Sequence, residues 1–75
     1  MNKKYYFDVD QMLVDLGGVM HVARVLRVPR VYLWTWRREG RLPAKRYLEI
    51  KEMWPLVRFD KYFKPVEDDR GEGHQ

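Results

Sequence analysis

Cysteine is absent from these 75 residues, which excludes disulfides and thiolate-held metals and is compatible with a reducing cytoplasm. Histidine is scarce: His21 and His74 stand far apart, and His21 lies off the apolar stripe of its segment with no second metal-type ligand beside it. No glycine-rich phosphate loop occurs either, so neither a catalytic group, a metal site, a cofactor nor a small-molecule substrate is expected. Long apolar runs are missing. None approaches the roughly 18 to 20 residues that a membrane span requires, and Asp8 and Asp10 arrive before any secretory h-region develops, so a soluble cytoplasmic protein is expected. Acidic residues are scarce where it matters most. Between Arg24 and Arg46 stand Arg24, Arg27, Arg30, Arg37, Arg38, Arg41, Lys45 and Arg46, opposed only by Glu39, so this segment carries +7 in a chain whose net charge is +4. The balance comes from the C-terminus, where Glu67, Asp68, Asp69 and Glu72 against Arg70 give −3. Cations concentrated in one segment point to a polyanionic or acidic partner.

What is present is enough for one small core. Apolar residues make up 45% of the chain and aromatic residues 15%. A domain this short buries only about 60% of its unfolded surface, so each large side chain counts. Tyr5 to Val9 alternates as a short strand or extended arm. Asp8 with Gln11 fits a capping box, and Phe7 with Met12 fits the hydrophobic staple; Val9, Met12, Leu13 and Leu16 then give one helical stripe, ended by Gly17 and Gly18. A second stripe, Val19, Val22, Ala23 and Leu26, has a small residue at its centre, where a crossing helix approaches closely. Val28 reads as the apolar plug of a tight turn. Pro29 suits the opening of a third helix that runs to Arg38, with Leu33 and Trp36 inward and Arg30, Val31, Tyr32, Trp34 and Thr35 outward. Gly40 stops it, Pro43 opens a fourth helix over Ala44 to Trp54 with Tyr47, Leu48, Ile50 and Trp54 inward, and Pro55 ends that.

Leu56 to Phe63 reads as a half-buried strand, with Val57, Phe59 and Phe63 on one parity. It is expected to pair with Tyr5 to Val9 or with its copy in a second subunit, so Leu56, Val57, Phe59 and Phe63 are the candidate dimerisation residues. The fold expected is mainly α with a small β element: four short helices containing a helix-turn-helix, a C-terminal strand and an N-terminal one. Residues 1–66 form that domain with its dimerisation segment, and residues 67–75 read as a disordered polar tail.

The run Leu16-Gly17-Gly18 through Ala23, Leu26, Val28, Leu33 and Trp36 to Gly40 and Leu42-Pro43-Ala44 resembles the Cro-like repressors of temperate bacteriophages. The resemblance covers about residues 9 to 52. It implies a helix-turn-helix transcriptional repressor of a phage or prophage, acting in the bacterial cytoplasm. By position it implies base contacts from Arg30, Val31, Trp34 and Thr35. Two positions depart from the family pattern: Arg27 stands where glycine is usual and a positive φ is often needed, and Pro29 stands where Ser or Thr usually caps the recognition helix.

The chemistry of those residues suits double-stranded DNA. An arginine such as Arg30 makes a bidentate contact to guanine, each such pair being worth about 1–3 kcal/mol of discrimination, and Val31 or the Thr35 methyl meets a thymine methyl. Arg27, Arg37, Arg38, Arg41 and Lys45 are expected along the phosphate backbone, with the N–H groups of Gly18 and Val19 gripping a further phosphate at a helix start. One such module offers few base contacts, so a homodimer on a pseudo-palindrome with half-sites about 34 Å apart is expected. The alternative is a small basic adaptor or inhibitor that docks the same face on an acidic host protein, since Arg, Trp and Tyr are also favoured at protein interfaces.

Overall fold

Asp8 sets the start of the first helix. Its carboxylate accepts from the Gln11 backbone N–H at 3.1 Å, and Phe7 and Met12 are both buried beside it. The expected box is only half built: the Gln11 amide donates to Asp15, 2.9 Å, and the Asp8 N–H donates instead to the Tyr62 carbonyl, 2.7 Å. In the computed structural model, which describes residues 4–66, the chain runs β1 (Tyr5–Phe7), α1 (Val9–Asp15), α2 (Val19–Leu26), α3 (Arg30–Glu39), α4 (Ala44–Met53), a 3-10 turn (Phe59–Tyr62) and β2 (Phe63–Pro65). The fold is mainly helical with a small antiparallel sheet, as expected, and the register pairs Tyr5 with Pro65, Tyr6 with Lys64 and Phe7 with Phe63. The tail expected at 67–75 lies outside the described residues. Among the described residues no helix is long and apolar enough to cross a membrane.

The turn between α2 and α3 explains itself residue by residue. Val28 N–H bonds the Ala23 carbonyl at 3.1 Å and Arg27 N–H the Arg24 carbonyl at 3.2 Å, the paired bonds of a Schellman ending. That ending demands a left-handed residue, and Arg27 supplies it at φ 60°, ψ 45°. The conformation is the one the sequence required, with a side chain that disfavours it. Val28 then packs against the core as the expected plug, and Pro29 sits just ahead of α3 as its cap rather than as its first residue. No side chain caps α3.

The core joins both ends of the chain. Val22, Leu33, Ile50 and Met12 are fully buried at the crossing of the helices, with Ala23 and Trp36 beside them. Phe7 forms a second centre, ringed by Phe63 at 4.9 Å, Tyr47 at 5.4 Å, Tyr62 at 5.7 Å and Phe59 at 6.1 Å between ring centroids. Edge-to-face contacts of this kind add to the apolar burial.

Two expectations are corrected. Leu48 does not join the core; it is 71% exposed, because Tyr47, Ile50 and Trp54 at i, i+3 and i+7 already define the inward stripe of α4 and Leu48 points about 100° away from Tyr47. Nor is Leu56–Phe63 a strand. Val57 and Tyr62 are both buried although they have opposite parity, which a strand cannot satisfy, so the chain turns at Pro55 and Leu56, winds a 3-10 turn and becomes extended only at Phe63.

Candidate nucleic-acid interface

The exposed side of α3 follows from its 3.6-residue period. Leu33 and Trp36 face inward, so Val31, Thr35 and Arg38 at i, i+4 and i+7 share the outermost stripe, and Arg30, Trp34 and Arg37 share the one beside it. All four residues expected to read bases therefore stand on one convex surface: Val31 is 58% exposed, Trp34 43%, Arg30 is exposed and Thr35 is partly so. Arg38, expected along the phosphates, lies on the same stripe as Val31 and Thr35. Thr35 donates its hydroxyl hydrogen to the Val31 carbonyl, 3.1 Å, which leaves the methyl and an acceptor lone pair for any partner.

The cations divide by what they touch. Among the described residues Arg24, Arg27, Arg30, Arg38 and Lys45 form no ion pair, and all five are exposed. Arg37 is held differently: its Nε lies 2.6 Å from an Asp10 carboxylate oxygen at the start of α1, and its guanidinium lies 5.2 Å from the Trp34 ring centre. Arg37 thus bridges the Asp10 carboxylate of α1 and the Trp34 indole of α3. Arg41 lies 3.6 Å from Glu39, both exposed. Arg46 is turned inward, over the Trp36 ring at 5.7 Å and paired with Glu49 at 2.5 Å, so it leaves the outer surface to Lys45.

At the start of α2 the expected pair separates. Gly18 N–H donates to the Leu13 carbonyl at 2.7 Å and is spent, whereas Val19 N–H has no acceptor among the described residues. Beside α3 a shallow cleft of about 300 Å³ lies between Tyr32 and Thr35 on one wall and Pro43, Lys45 and Arg46 on the other. Asp10 is the site residue that sequence reasoning missed. It lies 27 positions before Arg37, and no local spacing signals a pair that only the α1–α3 packing brings together.

The candidate dimerisation residues do not form one surface. Val57 is buried, Phe59 packs against the core, Phe63 contacts Phe7 and Tyr47, and Leu56 projects into solvent. Among the described residues no group of three or more His, Asp or Glu side chains is placed to hold a metal. Comparison of the chain with protein-family models, curated proteins and solved structures gave no match.

Proposed function

We propose that this chain is a sequence-specific regulator that binds double-stranded DNA as a homodimer, laying α3 in the major groove in the manner that its resemblance to Cro-like repressors implies. One observation carries the reading. Two helices joined by a tight turn present Val31, Thr35 and Arg38 on an outward stripe, flanked by cations that no carboxylate among the described residues neutralises. Unpaired guanidinium groups around a convex helix match the charge and width of a groove walled by phosphates. In this reading Arg30 and Arg38 contact base edges, Val31 and the Thr35 methyl meet thymine methyls, and Arg24, Arg27 and Lys45 lie along the backbone.

Selection from random duplexes, followed by titration of the winner against scrambled duplex at two salt concentrations, tests it. The expected result is an inverted repeat bound about 10³-fold tighter than scramble or better. Arg30→Ala relaxes preference at one base pair by about 1–3 kcal/mol, whereas Lys45→Ala weakens every sequence alike and flattens the logarithmic salt slope by about 0.9. Equal losses from the two variants on matched and mismatched DNA contradict the assignment. The exposed Trp34 and Val31 also suit a protein surface. If no sequence enriches, the adaptor reading, with an acidic host protein as partner, replaces this one.

A further inference from the structure

A regulator of this size acting on an inverted repeat needs a surface that joins two copies; the strand expected there, Leu56–Phe63, does not form, and the edge that does form, Phe63–Pro65, is a poor one. Val66 N–H donates to the Lys4 carbonyl, 2.8 Å, so Lys64 and Val66 turn their backbone groups toward β1 and Phe63 and Pro65 turn theirs to the open edge. Pro65 has no N–H to offer. A three-residue edge that ends in proline is built to resist pairing.

Another surface has what a two-fold contact requires. α4 ends at Met53, the chain then turns through Trp54, Pro55 and Leu56, and Leu56 stands 92% exposed. Bordering it is an open groove of about 540 Å³ between this turn and the end of α1, floored by Leu16, Trp54 and Val57. Asp15, Arg58 and Lys61 line the same groove. A lone exposed leucine is ordinary, but this one is continuous with Met53, itself 54% exposed, and with the half-buried Trp54.

We propose that the groove receives Leu56 of a second copy of this chain, each copy inserting its Leu56 into the other across a two-fold axis. An isologous contact must be its own complement, and here a projection and a depression lie side by side on one patch. Charge does not oppose it. Asp15 is met within its own copy by Tyr62 and Gln11 and Arg58 by Asp60, so only Lys61 is left over at the groove, whereas the face around α3 carries several cations without an ion pair among the described residues and repels a copy of itself. An apolar anchor in a pocket with a polar surround is also how binding energy concentrates at interfaces. The proposal deepens the DNA-binding reading, from which it takes only the need for a dimer.

Sedimentation equilibrium of the full chain without DNA, across micromolar to millimolar concentrations, tests it directly. The wild-type chain is expected to dimerise, and Leu56→Glu and Met53→Glu to weaken association by about tenfold or more. Leu48→Glu, on an α4 position whose exposure lies between those of Met53 and Leu56 and which does not line the groove, is expected to leave association unchanged. All three positions face solvent, so circular dichroism should show the fold intact in each. A wild-type chain that stays monomeric throughout, or a Leu48→Glu chain as impaired as Leu56→Glu, overturns the proposal. If duplex selection fails while Leu56-dependent association persists, the interface stands and only the DNA reading falls.

Discussion

Arg27 and Gly40 occupy the same slot at the ends of successive helices, and only one of them is suited to it. Both close a Schellman ending in the left-handed region, Arg27 at φ 60° and Gly40 at φ 68°. A β-carbon in that region costs roughly 1–2 kcal/mol, partly offset by the extra chain entropy that glycine surrenders on folding. Arg27→Gly is therefore expected to stabilise the fold by about 0.5–1 kcal/mol in urea denaturation, at the loss of one outward cation. Gly40→Ala should go the other way by more than about 1 kcal/mol, because its new Cβ meets the Tyr6 Cβ at 3.2 Å as well as bearing the unfavourable φ. If Arg27→Gly is neutral or destabilising, the left-handed turn stores no strain at that position.

At the scale of elements, Tyr62 joins the 3-10 turn to α1. Its hydroxyl donates to an Asp15 carboxylate oxygen at 2.6 Å across 47 residues. Burial, and then this hydrogen bond, push the phenol up from an ordinary 10.0 to about 12, while the same bond lowers Asp15 below its ordinary 3.8. The signs differ. Tyr62 contributes stability that is fully present below pH 10.0 and is lost as pH rises toward about 12; Asp15 contributes stability present above 3.8 and lost as pH falls through its lowered value. Tyr62→Phe keeps the ring among Phe7 and its neighbours but should remove the Tyr62 share of the alkaline decline in melting temperature above pH 10.0, leaving the share of Lys64, which its bond to Asp8 holds above its ordinary 10.5. It should remove part of the acid decline too, the remainder belonging to Asp8, which Lys64 holds low through a 2.7 Å hydrogen bond, and to Asp60, which Arg58 holds low. A Phe variant that melts in parallel with wild type on the alkaline side would sink this account. Elements whose signals are local were legible in the sequence: the cap at Asp8, the stripes of α1 and α2, the plug at Val28 and the inward pair Leu33 and Trp36. The stretch after Pro55 was not. Its alternation of apolar and polar residues imitates a strand, and what overrides it is the aromatic cluster around Phe7, assembled from segments about 50 residues apart. The outward face of α3 was legible for the same reason as its inward face, whereas the pairing of Arg37 with Asp10 depends on tertiary packing that no spacing records.

Across the molecule, among the described residues, the carboxylates are mostly engaged and many of the cations are not. Asp8, Asp10, Asp15, Glu39, Glu49 and Asp60 each hold a hydrogen-bond or ion-pair partner. Arg24, Arg27, Arg30, Arg38 and Lys45 have none among the described residues, so the excess positive charge is displayed around α2, α3 and the start of α4. Asp10 decides whether Arg37 adds to that display. The pair is substantially exposed on both sides, 46% for Arg37 and 61% for Asp10, so it contributes no more than about 1 kcal/mol to stability and its loss should barely move the melting temperature. Its consequence for a polyanion is larger. Asp10→Asn releases a guanidinium beside Trp34, and on scrambled duplex it should tighten binding and steepen the logarithmic salt slope by about 0.9, one more counterion released. Arg37→Ala in the otherwise unchanged chain uncovers the Asp10 carboxylate and should weaken binding to scrambled duplex, but it removes no phosphate contact and should leave that slope alone. Lys45→Ala should flatten it. If Arg37→Ala flattens the slope as much as Lys45→Ala does, then Arg37 leaves Asp10 on binding and takes a phosphate, as the charge run alone implies. If Asp10→Asn changes nothing, α1 lies too far from the duplex for either residue to matter, and the interface is confined to α3 and its two flanking turns.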